Sequence, residues 1–169
     1  MIPARQGQHR PVARAAVAVL GLGNRLLTDE GVGVAAAEQI AGLGLPEVDV
    51  LDGGTLGLAL LPAIEGRRSL LILDAIAADR RRPGDVVVLA GPALRRTWRR
   101  CLSAHQIGIT DVLGIAELAG RAPAQVTAVA MVPASVELGW GLSAVTRQRL
   151  PEMVRTARAV LRSWAVPDA

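Results

Sequence analysis

A chain of 169 residues with 51% hydrophobic content is long enough to bury the core of one domain. The net charge of +4 raises nucleic acid as a partner, but with no Phe or Tyr only Trp98, Trp140 and Trp164 could stack on bases, so nucleic-acid binding is set aside. No stretch approaches the roughly 20 apolar residues of a membrane span, and a lone cysteine, Cys101, excludes an intrachain disulfide and fits a reducing cytoplasm.

Residues 1–15 read as a disordered basic tail, with Arg5, Arg10 and Arg14 and no cleavage-like site behind them, so no signal peptide is expected. Ala16 to Leu20 is a short apolar run ending in Gly21, the pattern of a strand buried on both faces. Glu30 to Ala41 follows as a helix, with Asp29 as its N-cap and Val34, Ala37 and Ile40 on one face, and Gly42 and Gly44 end it. Val48 to Leu51 is a second strand, closed by Asp52-Gly53-Gly54-Thr55; Leu56 to Glu65 is a short helix, and Leu70 to Asp74 a third strand. Strand, helix and strand in alternation imply a parallel sheet with right-handed crossovers.

The alternation then breaks. The ten residues Ala75 to Gly84 leave little room for a helical crossover, which needs a dozen or more. The fourth strand, Asp85 to Leu89, is therefore expected to run antiparallel to the third. The clusters Arg80-Arg81-Arg82 and Arg95-Arg96 with Arg99-Arg100 read as solvated surface. Ile107 to Ala119 reads as a helix, Gln125 to Val132 as the fifth strand and Ser143 to Trp164 as a closing helix, with Pro151 in its first turns or kinking it. There is no internal repeat or linker, so residues 16–165 are expected to form a single α/β domain.

Three residues stand out as chemistry. Glu30 lies at a helix start, Asp74 ends an apolar strand where burial is costly without a partner, and His105 is one of only two histidines. Alone, each has an ordinary explanation: a first-turn charge, a turn cap and a hydrogen-bonded loop residue. Together they make an oxygen, oxygen and nitrogen set for a borderline divalent metal. In open sheets of this kind ligands bind beyond the carboxyl ends of the strands, where the strand order reverses. If the first strand lies between the second and third, Glu30 and Asp74 both arise at that crevice. Gly31 and Gly33 in the first helical turn suggest a close approach to the backbone there, or a helix start packed on the sheet. Gly21-Leu22-Gly23 lacks the third glycine of a dinucleotide fingerprint at the required spacing, and there is no HExxH or Gly-x-Ser-x-Gly pattern. Cys101 has no accompanying base and reads as a small inert side chain.

The segments Gly21-Leu22-Gly23-Asn24 with Leu27-Thr28-Asp29-Glu30-Gly31-Val32-Gly33, Asp52-Gly53-Gly54-Thr55-Leu56-Gly57, Leu73-Asp74-Ala75, Ser103-Ala104-His105-Gln106 with Asp111-Val112-Leu113, Glu137-Leu138-Gly139 and Leu142-Ser143 follow in an order and spacing that resembles the hydrogenase maturation proteases. The resemblance covers roughly Val17 to Leu161. It implies a three-layer α/β/α sandwich around a five-stranded mixed sheet, with strand five between strands three and four. It implies an endopeptidase that removes a C-terminal extension from a nickel-iron hydrogenase large-subunit precursor after nickel insertion. The positions matching Glu30, Asp74 and His105 are then the metal-binding and catalytic residues, with nickel supplied by the precursor and no organic cofactor. Asn24, Asp29, Gly53, Gly54, Thr55 and Asp111 become candidates for orienting those ligands or positioning substrate; for Asp111 an ordinary first-turn charge is the alternative. Either Glu30 or Asp74 could be the general base.

One segment departs from the family. Where members usually carry a Gly-Ile-Gln-Pro-like segment, this chain has Ala130-Met131-Val132-Pro133, keeping the proline and losing the polar glutamine, which bears on substrate contacts near strand five. Two other readings are a nickel-sensing accessory protein that does not cleave, and a peptidyl-tRNA-hydrolase-like enzyme. The latter family shares Gly-x-Gly-Asn but has a Pro after the Asn and a His in the next segment, where this chain has Arg25 and no His until His105. A cytoplasmic monomer is expected, with no membrane insertion.

Overall fold

The structure, a computed structural model, describes residues 15–77, 80–100 and 108–167. The N-terminal tail to Arg14, and Cys101 and His105, lie outside the described residues. The elements run β1 (Val17–Leu22), a 3-10 turn (Thr28–Gly31), α1 (Val32–Ala41), β2 (Val48–Gly54), a second 3-10 turn (Gly57–Leu60) leading into α2 (Leu61–Ile64), and β3 (Ser69–Ala75). Then come β4 (Val86–Ala90), α3 (Gly91–Arg100), α4 (Ile109–Leu118), β5 (Gln125–Met131) and α5 (Ala144–Ser163).

The five strands form one sheet in the order β2-β1-β3-β5-β4. All pairings are parallel except β4 with β5, which is antiparallel. The ten-residue connection before β4 is thus read correctly as too short for a crossover. Strand five sits between three and four, as the resemblance implies.

The central strands carry apolar residues on both faces because both faces are covered. On one side Val17, Val19, Leu71, Leu73, Val129 and Met131 pack with Ala37 and Ile40 of α1 and Met153, Ala157 and Leu161 of α5. On the other, Ala18, Leu20, Leu70, Ile72 and Ala128 pack with Ile64 of α2, Leu94 of α3 and Val112 of α4. Alternate residues of each strand feed opposite clusters, as the two-residue pleat requires, and the result is a three-layer sandwich. No described helix is long and apolar enough to cross a membrane.

Two expectations are corrected. The segment Gly91–Arg100, for which no element was expected, is a helix anchored by the buried Leu94, and Arg96 on it is exposed. Helix α1 begins at Val32 and not at Glu30, and Asp29 does not cap it: no side chain caps either the 3-10 turn or α1.

Candidate functional site

The strand order reverses at β1, whose neighbours are β2 and β3, so the crevice at which open sheets of this kind bind ligands is the one beyond the carboxyl ends of β1 and β3. Glycines let the chain close over it. Gly23, just past β1, has φ +122°, and a Cβ there would stand 1.8 Å from the Glu30 carbonyl oxygen. The loop from Gly23 to Glu30 therefore doubles back on itself. At Gly33 a Cβ would lie 2.2 Å from the Leu73 carbonyl oxygen and 2.4 Å from that of Leu22. What approaches the first turn of α1 is the sheet itself, so of the two explanations for Gly33 the packed helix start holds.

That packing brings Glu30 and Asp74 together, because Gly33 follows Glu30 by three residues and Leu73 precedes Asp74. Asp74 is half-buried, and its Oδ1 accepts the Ala75 backbone N–H at 2.8 Å. Burial pushes its carboxyl up to about 7, against the lowering effect of that hydrogen bond, and the charge of Glu30 pushes the same way as burial. Glu30 Oε2 is buried with no hydrogen-bond partner among the described residues. A buried carboxylate oxygen without a partner costs several kcal/mol. Two carboxylates near enough to repel, one with an oxygen that no described residue bonds, can share a cation, and oxygen donors suit a hard or borderline divalent metal.

The neighbouring residue has the opposite character. Asp29 is fully buried, and its carboxylate accepts four hydrogen bonds: Ala134 N–H at 2.9 Å, Ser135 N–H at 3.2 Å, Ser143 N–H at 2.7 Å and Ser143 Oγ–H at 2.8 Å. Burial alone would raise its carboxyl, but the hydrogen bonds, led by those of Ser143, hold it below the usual value. Asp29 thus ties both ends of the segment from Ala134 to Ser143 to the loop that carries Glu30. Thr28 completes the tie. It is a β-branched residue at φ +44°, a strained conformation. It is held there by Thr28 Oγ1 donating to the Ser135 carbonyl at 2.8 Å and by its backbone N–H donating to the Gly139 carbonyl at 3.1 Å.

The other predicted residues fall around this frame. Asn24 Oδ1 accepts the Leu26 N–H at 3.0 Å and shapes the turn before Glu30. Gly53 forms a bulge opposite the end of β1, where a Cβ would stand 2.6 Å from Leu20 Cδ1. The Gly54 carbonyl accepts the Gly23 N–H at 3.1 Å, linking the ends of β1 and β2. Thr55 is exposed in the turn beyond. Asp111 is exposed, and its carboxylate accepts the Gly108 N–H at 2.9 Å at the start of α4, so it caps its own helix as an ordinary first-turn charge does. In the departing segment, Met131 is buried and paired with Ala75 and Val86, and its carbonyl accepts the Ile76 N–H at 2.9 Å. The residues that sequence reasoning missed are Ser135 and Ser143 as partners of Asp29. Only Ser143, inside a family segment, carried any signal.

Comparison with known proteins bears on this geometry. The family model described as hydrogenase maturation protease matches residues 34–160. The chain is 35% identical over 152 residues to the hydrogenase 2 maturation protease of Escherichia coli (strain K12), covering 89% of this chain and 93% of that one. It is 37% identical over 155 residues to the hydrogenase expression/formation protein HupD of Rhizobium leguminosarum bv. viciae, covering 89% and 76%. Among solved structures it superimposes on the hydrogenase maturating endopeptidase HybD from E. coli with a TM-score of 0.81 at 35% identity, over 87% of this chain and 92% of that one. On the [NiFe] hydrogenase maturation protease HybD from Thermococcus kodakarensis the TM-score is 0.70 at 28% identity, over 85% and 97%.

Proposed function

The chain belongs to the hydrogenase maturation protease family, and from that premise we propose that it hydrolyses one peptide bond near the C-terminus of a nickel-iron hydrogenase large-subunit precursor once nickel is in place. The observation that carries this reading is the carboxylate pair. Glu30 keeps a buried oxygen that no described residue bonds, beside Asp74, where the strand order reverses. Such a pair is suited to completing a metal's coordination shell, and a metal already bound in the substrate needs only a few ligands from the protease.

In this reading Glu30, Asp74 and His105 read the nickel, the histidine entering on the sequence pattern alone. The substrate-borne metal supplies Lewis acidity, polarising the scissile carbonyl or acidifying an attacking water. One of the two carboxylates, Glu30 or Asp74, takes the proton of that water. Asn24, Gly53 and Gly54 shape the backbone around the crevice, Asp29 fixes the loop that carries Glu30, and Thr55 stands exposed at its border where a substrate passes. The protein is read as a cytoplasmic monomer that meets its precursor there.

The test is the intact mass of a nickel-loaded large-subunit precursor incubated with the protein, beside a nickel-free control. Loss of a short C-terminal peptide only in the nickel-loaded sample is the expected result. Loss in both samples would keep the protease and remove nickel reading. No loss in either would overturn the proposal in favour of a protein that senses nickel without cutting.

A further inference from the structure

We infer that the segment from Ala134 to Ser143, together with Leu26, is the surface on which the folded body of the precursor docks, an inference that rests on the protease reading above. Leu138 and Trp140 are 83% and 80% exposed, and Val136 and Leu26 are more than half exposed. Single exposed apolar residues are common on protein surfaces, but a cluster of large ones on one short segment marks an interaction site. Tryptophan is also among the residues most often found at the energetic centre of interfaces.

The cluster is contiguous with the carboxylate site. Gly139 N–H donates to the Leu26 carbonyl at 2.9 Å, and the Gly139 carbonyl accepts the Thr28 N–H at 3.1 Å. Leu138 and Trp140 therefore flank a residue stitched to the loop two positions before Glu30. A Cβ at Gly139 would approach Thr28 Cγ2 to 3.1 Å, so the two strands of chain lie against each other with no room between them.

The segment is also held rigid. Its two ends converge on the Asp29 carboxylate through Ala134, Ser135 and Ser143. The Ser135 hydroxyl accepts the Glu137 N–H at 3.2 Å within it. Preorganisation of this kind lowers the ordering cost of binding.

The reaction supplies the occupant. A protease that cuts one bond in one protein cannot derive that selectivity from two carboxylates, which any metal-bound peptide would satisfy. Discrimination needs contacts away from the reacting atoms, and apolar side chains beside the crevice provide them to a macromolecular substrate. The partner is thus an apolar patch on the precursor next to the scissile bond.

The test compares wild type with Leu138→Ser, Trp140→Ser and the double variant on nickel-loaded precursor. Because both side chains are exposed, melting temperatures should match wild type. We expect KM for the precursor to rise about tenfold for each single variant and more for the double, with kcat within about twofold. Trp140→Leu, which keeps an apolar side chain, should recover most of the loss. Wild-type cleavage with an unchanged KM in the double variant would overturn the docking inference and leave the protease reading intact. Absence of wild-type cleavage would instead count against the protease reading itself. Sedimentation of wild type but not of Trp140→Ser with anionic lipid vesicles, with KM unchanged, would reassign the patch to a membrane surface.

Discussion

The two ends of the sheet treat buried charge in opposite ways. At the amino end of the parallel strands, the Arg67 guanidinium is buried, and every contact it makes is internal: Nε donates to the Ala63 carbonyl at 3.0 Å, and Nη1 bonds the Ala15 carbonyl and the Asp49 carboxylate. Nearby, Ser69 Oγ bonds Gln125 Oε1 at 3.1 Å. At the carboxyl end Glu30 Oε2 is buried without a partner among the described residues, and Asp74 is held toward its neutral form beside it. Desolvating a charge is costly at either end. At one end the protein meets that cost from within, and at the other it leaves it to whatever binds. The contrast recurs between neighbours in sequence, since among the described residues Asp29 accepts four hydrogen bonds and Glu30 Oε2 none.

If that comparison is right, function and stability should separate by end. Glu30→Gln should lower cleavage of the nickel-loaded precursor by about 10²–10⁴-fold, the range for losing a group that ligates or moves a proton. Its thermal stability should be unchanged or higher, because a repulsive carboxylate is removed. A melt that falls as cleavage falls would make Glu30 structural and break the comparison. Arg67→Ala should do the reverse. It leaves Asp49 and two carbonyls without their donor, a loss of about 3 kcal/mol, or roughly 6–12 °C in Tm for a chain of this size. At a temperature where both are folded, turnover should match wild type.

Asp29→Asn sharpens the point because it sits at the functional end with structural chemistry. With its oxygen in the Oδ2 position an amide keeps three of the four hydrogen bonds but turns its NH2 against the Ser143 N–H, and the charge that strengthened the others is gone. The expected cost is about 2 kcal/mol. Unlike Arg67→Ala it should also raise KM for the precursor, since the segment it anchors loosens beside Glu30. A thermal melt paired with steady-state cleavage tests both parts, and a variant with wild-type Tm would remove Asp29 as an anchor.

The legible parts of this fold were those written locally. Apolar runs of strand length marked the strands, and the short connection before β4 marked its direction. Helix α3 was missed because Leu94 is its buried anchor in a segment otherwise dominated by arginine, so no apolar stripe announces it. Glycines signalled a close approach at Gly33 but not that the carbonyls of Leu22 and Leu73 were the neighbours. Asp29 was misread for a related reason. An acid before a helix is an ordinary N-cap signal, whereas its actual partners lie 105 to 114 residues away, and no local pattern encodes them. The place of strand five came from family resemblance and not from spacing, and the meeting of Glu30 and Asp74 followed only on the assumption that strand one lies between strands two and three.

The smallest effect tests whether charge near the site matters merely by being there. Arg25 follows Asn24 in the turn before Glu30 and pairs with Glu38 of α1 and, at 3.5 Å, with Asp52 of β2. It resembles Arg67 in bridging two elements, but its side chain is 40% exposed and its partners more so. Water and salt screen such pairs, and holding long side chains in one geometry offsets much of the attraction. Arg25→Ala should therefore cost less than about 1 kcal/mol, with a difference from wild type that shrinks further in high salt. The measurement is a pair of melts at low and high ionic strength. A loss near that of Arg67→Ala, insensitive to salt, would mean that the carboxyl end also stabilises itself with internal charge pairs. The division of labour between the two ends would then have to be given up.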